Sequence, residues 1–309
     1  MGLIFHNGKF IPEQDIQKND MESAVLRLLR SFLDANEPGL VRILVNTWRS
    51  QGNAITYKEL REAILAGDID PKWLEDWMQD YSRLVVKHLQ PAWENAITTA
   101  ASVIEQKYPA WHFDPMGDGV KRWTADRAAE FVTNVTTTQM DGLRAVVRRA
   151  AVLEEMTVDE LSRVIRPMIG LTKQQSNAVL NYYEKLRENG VTPKRARESA
   201  IRDAARRHRE RAYSVARTEL ASAYNAGAHE GTKQAQAKGY MGRTVKVWST
   251  ADDERVCPTC GALEDSEAEM DEEFNGMGRS WSTRLHPPAH PGCRCAVLYM
   301  EKEPPEKNT

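Results

Sequence analysis

At 309 residues the chain has room for two or three domains, each able to bury a core. Charged residues make up 28% and the formal net charge is −2, which excludes the overall basic signature of a nucleic-acid binder. No apolar run approaches the roughly 20 residues of a membrane helix, so a soluble protein without a membrane partner is expected. The first residues show neither the charged-then-apolar pattern of a signal peptide nor the Ser or Thr needed for myristoylation.

Residues 1–20 are polar and irregular in pattern and read as a flexible arm. From Met21, residues Val25, Leu26, Leu28, Leu29, Phe32 and Leu33 recur at helical spacing, and Asn36-Glu37-Pro38-Gly39 is expected to break that helix. Leu40–Trp48 reads as a second helix. Thr56 with Glu59 has the spacing of a capping box for a third, closing near Gly67. Asp70-Pro71 opens a longer helical region carrying Trp73, Trp77, Tyr81, Leu84, Leu89 and Trp93, which Pro91 should kink or divide. Tryptophans at that spacing predict a helical core rather than a ligand groove.

Tyr108–Gly119, with two prolines and two glycines, reads as a domain boundary. A helix follows over about 124–152, with a bend or break expected at Thr136-Thr137-Thr138. Thr157 and Thr172 look like N-caps of two further helices, the second ending at Asn189-Gly190. Thr192-Pro193 starts the longest helix, carried to Lys238. Its first half is basic: from Lys194 to Arg217, nine Lys and Arg residues face only Glu198, Asp203 and Glu210. Arg206, Arg207, Arg209 and Arg211 make nucleic acid or an acidic protein surface a candidate partner there. Its second half places Ala223, Gly227, Gly231 and Ala235 four apart, a stripe that admits close approach of another element.

After Gly239 the period changes. Thr244–Thr250 alternates like a half-buried strand, and Ala296–Tyr299 reads as a second strand pairing with it. All four cysteines lie between and beside these strands, in the array Cys257-Pro-Thr-Cys260 … His290-Pro-Gly-Cys293-Arg-Cys295. Two close pairs at the ends of one loop suit a tetrahedral zinc site. Cys257 and Cys260 are two ligands, and the other two come from His290, Cys293 and Cys295, with His286 a weaker fifth candidate. Disulfides are the competing reading, disfavoured by the absence of a secretory signal. Four ligands leave no open position, and no His-Glu-x-x-His supplies a base, so a structural rather than catalytic metal is expected.

The order Ala216-Arg217-Thr218-Glu219, Asn225, Val247-Trp248, Asp252-Asp253, the Cys-x-x-Cys pair and His290-Pro-x-Cys293-Arg294-Cys295 resembles the phage head morphogenesis, or minor head protein, family, which includes Mu F-like and SPP1 gp7-like proteins. The resemblance covers roughly the last hundred residues, and the Gly170–Asn181 segment is similar to what often precedes them. It implies a portal-associated structural protein of the virion, in the capsid interior or at the portal vertex, made in the host cytoplasm and acting in head assembly and in genome packaging or ejection. Portal, major capsid or scaffold proteins and packaged DNA are the implied partners. Its motif positions carry over as Arg217, Glu219, Asn225, Trp248 and Asp252 beside the metal ligands, with Arg217, Glu219 and Asn225 expected to dock the long helix against the zinc module.

The expected fold is mainly α: a multi-helix N-terminal half, and a long basic helix leading into a small α+β zinc-binding subdomain with a short β-sheet. The domain scheme is 1–20 arm, 21–115 helical domain, 116–240 helical domain, 241–300 zinc module and 301–309 disordered tail. Two other functions compete: a DNA-binding protein using 194–217, and an effector or transferase-type enzyme, for which no catalytic triad or phosphate loop can be assembled.

Overall fold

The structure is a computed structural model that describes residues 3–6, 9–153, 156–251, 253–274 and 285–303, with side chains from residue 24 onward. It is mainly helical, with a three-stranded antiparallel sheet near the C-terminus. Contacts group the residues into two compact units, each discontinuous in sequence. One comprises 1–37, 91–124 and 215–309, the other 38–90 and 125–214.

The N-terminal stretch departs from the expected arm. Strands β1 (Leu3–His6) and β2 (Lys9–Pro12) pair antiparallel with Leu3 opposite Pro12 and His6 opposite Lys9. The signal was present: two apolar runs flank Asn7-Gly8, the pair favoured in two-residue hairpins. Helix α1 (Glu13–Ala54) then runs without interruption through Pro38, where a break was expected. Its buried positions Leu29, Phe32 and Leu33 stay in helical phase with Leu40, Val41, Leu44 and Trp48, so continuing the helix buries one apolar stripe on both sides of the proline.

In the unit of 38–90 and 125–214, helix starts follow local chemistry. Helix α2 (Tyr57–Ala66) has the Thr56/Glu59 capping box at its start and Gly67 in the left-handed region at its end, at φ 67°. Helix α3 (Lys72–Leu84) passes into a π-helical turn at Val85–Leu89, just ahead of Pro91. Within helix α5 (Asp118–Ala150) the Thr136–Thr138 segment stays helical. The Thr136 hydroxyl donates to the Val132 carbonyl, so a poor helix former is accommodated inside the turn rather than breaking it. Thr157 caps α6 (Val158–Ile165), and Thr172 with Gln175 forms the capping box of α7 (Lys173–Glu188). The core of this unit closes on a hydrogen-bonded cluster: Trp48 Nε1 donates to Tyr81 Oη at 2.9 Å, and Gln139 Nε2 donates to Gln51 Oε1 at 3.0 Å.

In the other unit, helix α4 (Gln90–Lys107) packs on the second half of α8 (Pro193–Ala237). A Cβ at Gly227 would lie 2.4 Å from the Ile97 carbonyl oxygen, so the small-residue stripe does bring two backbones together. Tyr108–Gly119, read as a boundary, is packed: Trp111 is buried with Ala235 and Met241, and Asp114 exchanges two hydrogen bonds with the Gln234 side chain. Strands β3 (Thr244–Ser249), β4 (Glu267–Glu269) and β5 (Ala296–Glu301) form the sheet in the order β4-β3-β5. The β3–β5 pairing matches the expectation, with Trp248 opposite Val297. Strand β4, within the acidic run from Glu264 to Glu273, was not anticipated.

Strand β3 is buried on both faces, not half-buried. Lys246 is fully buried: its Nζ donates to the carbonyls of Glu272 and Leu285, and it lies 5.1 Å from the Phe274 ring centroid. Those carbonyls satisfy a cation that an alternating pattern would assign to solvent. Residues 304–309 of the expected tail lie outside the described residues.

Candidate metal centre

The first ligand pair is set by a short helix. Cys257 is the N-cap of α9 (Pro258–Leu263), with Pro258 in the first turn, and its Sγ accepts from the Cys260 backbone N–H at 3.4 Å. This turn aims both sulfurs the same way. The second group follows a tight turn in which Cys293 N–H donates to the His290 carbonyl and Gly292 sits at φ 76°. The two loops meet. Cys257 Sγ and Cys260 Sγ each lie 3.2 Å from His290 Nε2, and Cys260 Sγ lies 3.8 Å from Cys293 Sγ.

Two triads therefore share Cys260: Cys257–Cys260–His290 and Cys260–Cys293–Cys295, with ligand atoms in each within 4.8 Å of one another. A tetrahedral zinc with its usual bond lengths has sulfur–sulfur edges of about 3.8 Å and sulfur–nitrogen edges of about 3.6 Å. The Cys260–Cys293 separation of 3.8 Å is of that size, and the two sulfur–nitrogen separations, at 3.2 Å, are somewhat shorter. The His290 ring nitrogen not facing the sulfurs, Nδ1, lies 3.0 Å from the Pro291 carbonyl. As a donor to it, Nδ1 leaves Nε2 free to ligate. All four thiols are free, so no disulfide competes. His286 is turned elsewhere, with Nδ1 at 2.9 Å from the Pro287 carbonyl and its ring 6.1 Å from that of His229.

The electrostatics of the thiols describe a cluster that shares protons. Hydrogen bonding from Cys260 and Cys295 pushes the Cys293 thiol well down, while sharing with Cys293 and then Cys295, with burial, pushes Cys260 well up. Sulfurs packed this closely cannot all ionise unaided, and a dication among them removes that conflict. The Trp248 indole N–H is buried with no hydrogen-bond partner among the described residues, and the Cys295 thiol, although hydrogen bonding from Cys260 lowers it, is raised overall by sharing with Cys293 and by burial. The residues fit a soft divalent metal such as zinc.

The sequence motif on α8 lies against this centre. The Thr218 hydroxyl accepts from Gly292 N–H at 3.0 Å, fixing the turn between His290 and Cys293. Asn225 is buried and reaches both sides of Ala296. Its Nδ2 donates to the Cys295 carbonyl at 3.4 Å, and its Oδ1 accepts from Val297 N–H at 3.3 Å. Arg217 instead makes a two-pronged pair with Glu37 of α1, at 2.6 and 2.9 Å, which favours its charged form. Glu219 is buried on the same helix. Trp248 packs edge-on to Phe274 with centroids 5.2 Å apart. Asp252 lies outside the described residues.

Two residues that motif reading passed over complete the shell. Arg294, between two candidate ligands, donates from both terminal nitrogens to Asp253 at 2.6 and 2.5 Å and holds that carboxyl far below the usual range. Both stand in the motif string but carried no assigned role there, and nothing local pairs them across 41 positions. The basic half of α8 is differently disposed. Arg206 and Arg207 pair with Asp203 on their own helix, Arg206 also with Glu210, and Arg211 is buried, donating to the Gly170 carbonyl beneath the Trp48 ring. Arg209 is exposed and has no ion pair among the described residues.

The family model described as Phage Mu protein F like protein matches residues 149–298, just under half of the chain. The match supports a likeness to a phage head morphogenesis family, over a stretch that takes in α6, α7, α8 and the whole cysteine array. That family suggests a phage head-related protein, and it points to a structural role rather than an enzymatic one. Among curated proteins and solved structures no match was found. No helix among the described residues is long and apolar enough to cross a membrane.

Proposed function

We propose that the chain is a minor head protein of a tailed phage, held at the portal vertex, in which a structural zinc bound by the Cys257/Cys260/His290/Cys293/Cys295 cluster locks the C-terminal module onto helix α8. The observation that carries this reading is the pair of ties from that helix, Thr218 to Gly292 and Asn225 to the residues flanking Ala296. They couple the helix of the family motif to the ligand turn itself. Zinc supplies a core that the module cannot build from apolar residues alone. The helical remainder offers contact surface to portal, coat or scaffold protein. The domain scheme of two helical regions and a zinc module belongs to the same proposal.

Co-expression with the cognate portal protein tests it. Tagged portal should retain the wild-type chain at a fixed stoichiometry, and heads assembled without the chain should lack a defined complement at one vertex. A chain distributed over the whole shell in proportion to the coat protein would overturn the portal assignment.

A further inference from the structure

A cavity of about 230 Å³ opens beside the metal centre, within the unit of 1–37, 91–124 and 215–309. One wall is apolar, formed by Leu26, Leu29 and Leu33 of α1. Four arginines also line it: Arg30 from α1, Arg217 from α8, Arg255 from the loop ahead of Cys257, and Arg294 between Cys293 and Cys295. Their carboxylate partners Glu37 and Asp253 do not line it, whereas Asp34 does.

The four arginines are not equivalent. Arg217 spends Nε and Nη2 on Glu37, and Arg294 spends Nη1 and Nη2 on Asp253, so each is held rigidly with one nitrogen left over. Arg255 is largely exposed and reaches Asp253 through a single long contact of 3.2 Å, and Arg30 is exposed with no ion pair among the described residues. Two fixed cations and two movable ones around an apolar wall make a receptor for an anion with a hydrophobic neighbour. Guanidinium matches a carboxylate or phosphate with paired donors, and rigid guanidinia lose less entropy when they bind.

We infer that this cavity is a binding site for a short acidic–apolar peptide segment of a partner protein, seating a carboxylate among Arg30, Arg217, Arg255 and Arg294 and an aliphatic side chain on Leu26, Leu29 and Leu33. The apolar wall favours a peptide over a nucleic-acid backbone, which offers the cavity nothing to cover the leucines and meets Asp34 in its lining. The inference stands on the cavity alone and does not depend on the head-protein reading.

The test uses the full chain with zinc and a fluorescein-labelled hexapeptide alternating Leu and Glu, followed by fluorescence anisotropy. Saturable binding is expected. Arg30→Glu and Arg255→Glu, both at exposed positions, should each weaken it by about tenfold or more while leaving the thermal unfolding midpoint in place. The same peptide with Gln for Glu should lose a similar factor. The site assignment is overturned by equal binding to wild type and Arg30→Glu, by equal binding of the Gln peptide, or by no saturation below about 1 mM. Tighter binding of a single-stranded oligonucleotide of equal charge would overturn the peptide in favour of a phosphate ligand.

Discussion

The unit of 38–90 and 125–214 and the sheet module that carries the cysteines solve the same problem with different materials. The helical unit buries Trp48, Trp77, Tyr81, Leu60, Ile64, Ile165, Leu180 and Tyr183, and the polar groups of Trp48, Tyr81, Gln51 and Gln139 hydrogen-bond to one another within that core. In the module, the cluster behind the sheet has eight buried members, and three of these are Cys260, Cys293 and Cys295. A core in which thiols occupy that share of the positions gains less from apolar burial alone. Thiols that must share protons add a conflict that the helical unit does not have. On the proposed reading, the helical unit relies on its own side chains, whereas the module is completed by a bound ion.

Removing the metal should break that comparison most visibly. With a chelator, or in Cys260→Ser, hydrogen exchange should rise by orders of magnitude in peptides from β3 and β5, while peptides from α2 and α7 keep their protection, because binding free energy of a structural zinc is folding free energy for the module. Metal analysis of the untreated protein should give about one zinc per chain. Unchanged protection of β3 after chelation would show that the thiol cluster packs as an ordinary core.

A smaller effect separates two glycines in long helices. Gly227 faces the Ile97 backbone at a distance no Cβ can accept, whereas nothing lies within 4 Å of a Cβ placed at Gly39. Gly227→Ala should destabilise its unit by about 1–3 kcal/mol or more through overpacking. Gly39→Ala should stabilise its unit by roughly 0.5–1 kcal/mol through helix propensity. Urea unfolding with exchange measured peptide by peptide checks both signs. A stabilising Gly227→Ala would contradict the close contact of α4 with α8.

The same contrast explains what could be read in advance. Thr56 with Glu59, Thr172 with Gln175, and the Cys257–Cys260 turn are legible because side chain and backbone partner lie within three residues. The small-residue stripe was legible as a vacancy, though not its occupant Ile97. What escaped depends on distant pairs. Pro38 stays helical because the stripe it interrupts is buried on both sides. Arg217 meets Glu37 across 180 positions, and Arg294 meets Asp253 across 41. Nor does alternation reveal that Lys246 finds two carbonyls in a loop beyond β4. Charge on the basic helix is legible only in part for a related reason: Arg206 and Arg207 are paired within it, and the burial of Arg211 depends on Trp48 and Gly170, far away in sequence.

Each unit also holds a histidine whose surroundings favour the neutral form, His229 buried and His208 half-buried, and their titration gives the finest comparison. Burial lowers His208 to about 4 in the helical unit, even though its Nε2, at 2.9 Å, donates to the Ile169 carbonyl. Burial, with His286, Lys246 and Lys233 nearby and Asp271 opposing, lowers His229 to about 3 in the other. Both folded values lie below the unfolded value near 6.5. The unfolded chain therefore takes up a proton first as pH falls. Stability is complete above about pH 6.5 and declines below it, until about pH 4 for His208 and about pH 3 for His229, at up to about 1.4 kcal/mol per pH unit for each. His208→Gln keeps a donor for Ile169, so it should flatten the acid slope of α7 and its neighbours while leaving the β3 slope intact. His229→Gln should do the reverse. Exchange measured at pH 7.0 and 5.5 on each variant reads the two slopes separately. If one substitution flattened both, the two units would be a single cooperative system, and the division between a self-sufficient unit and a metal-dependent one would fall.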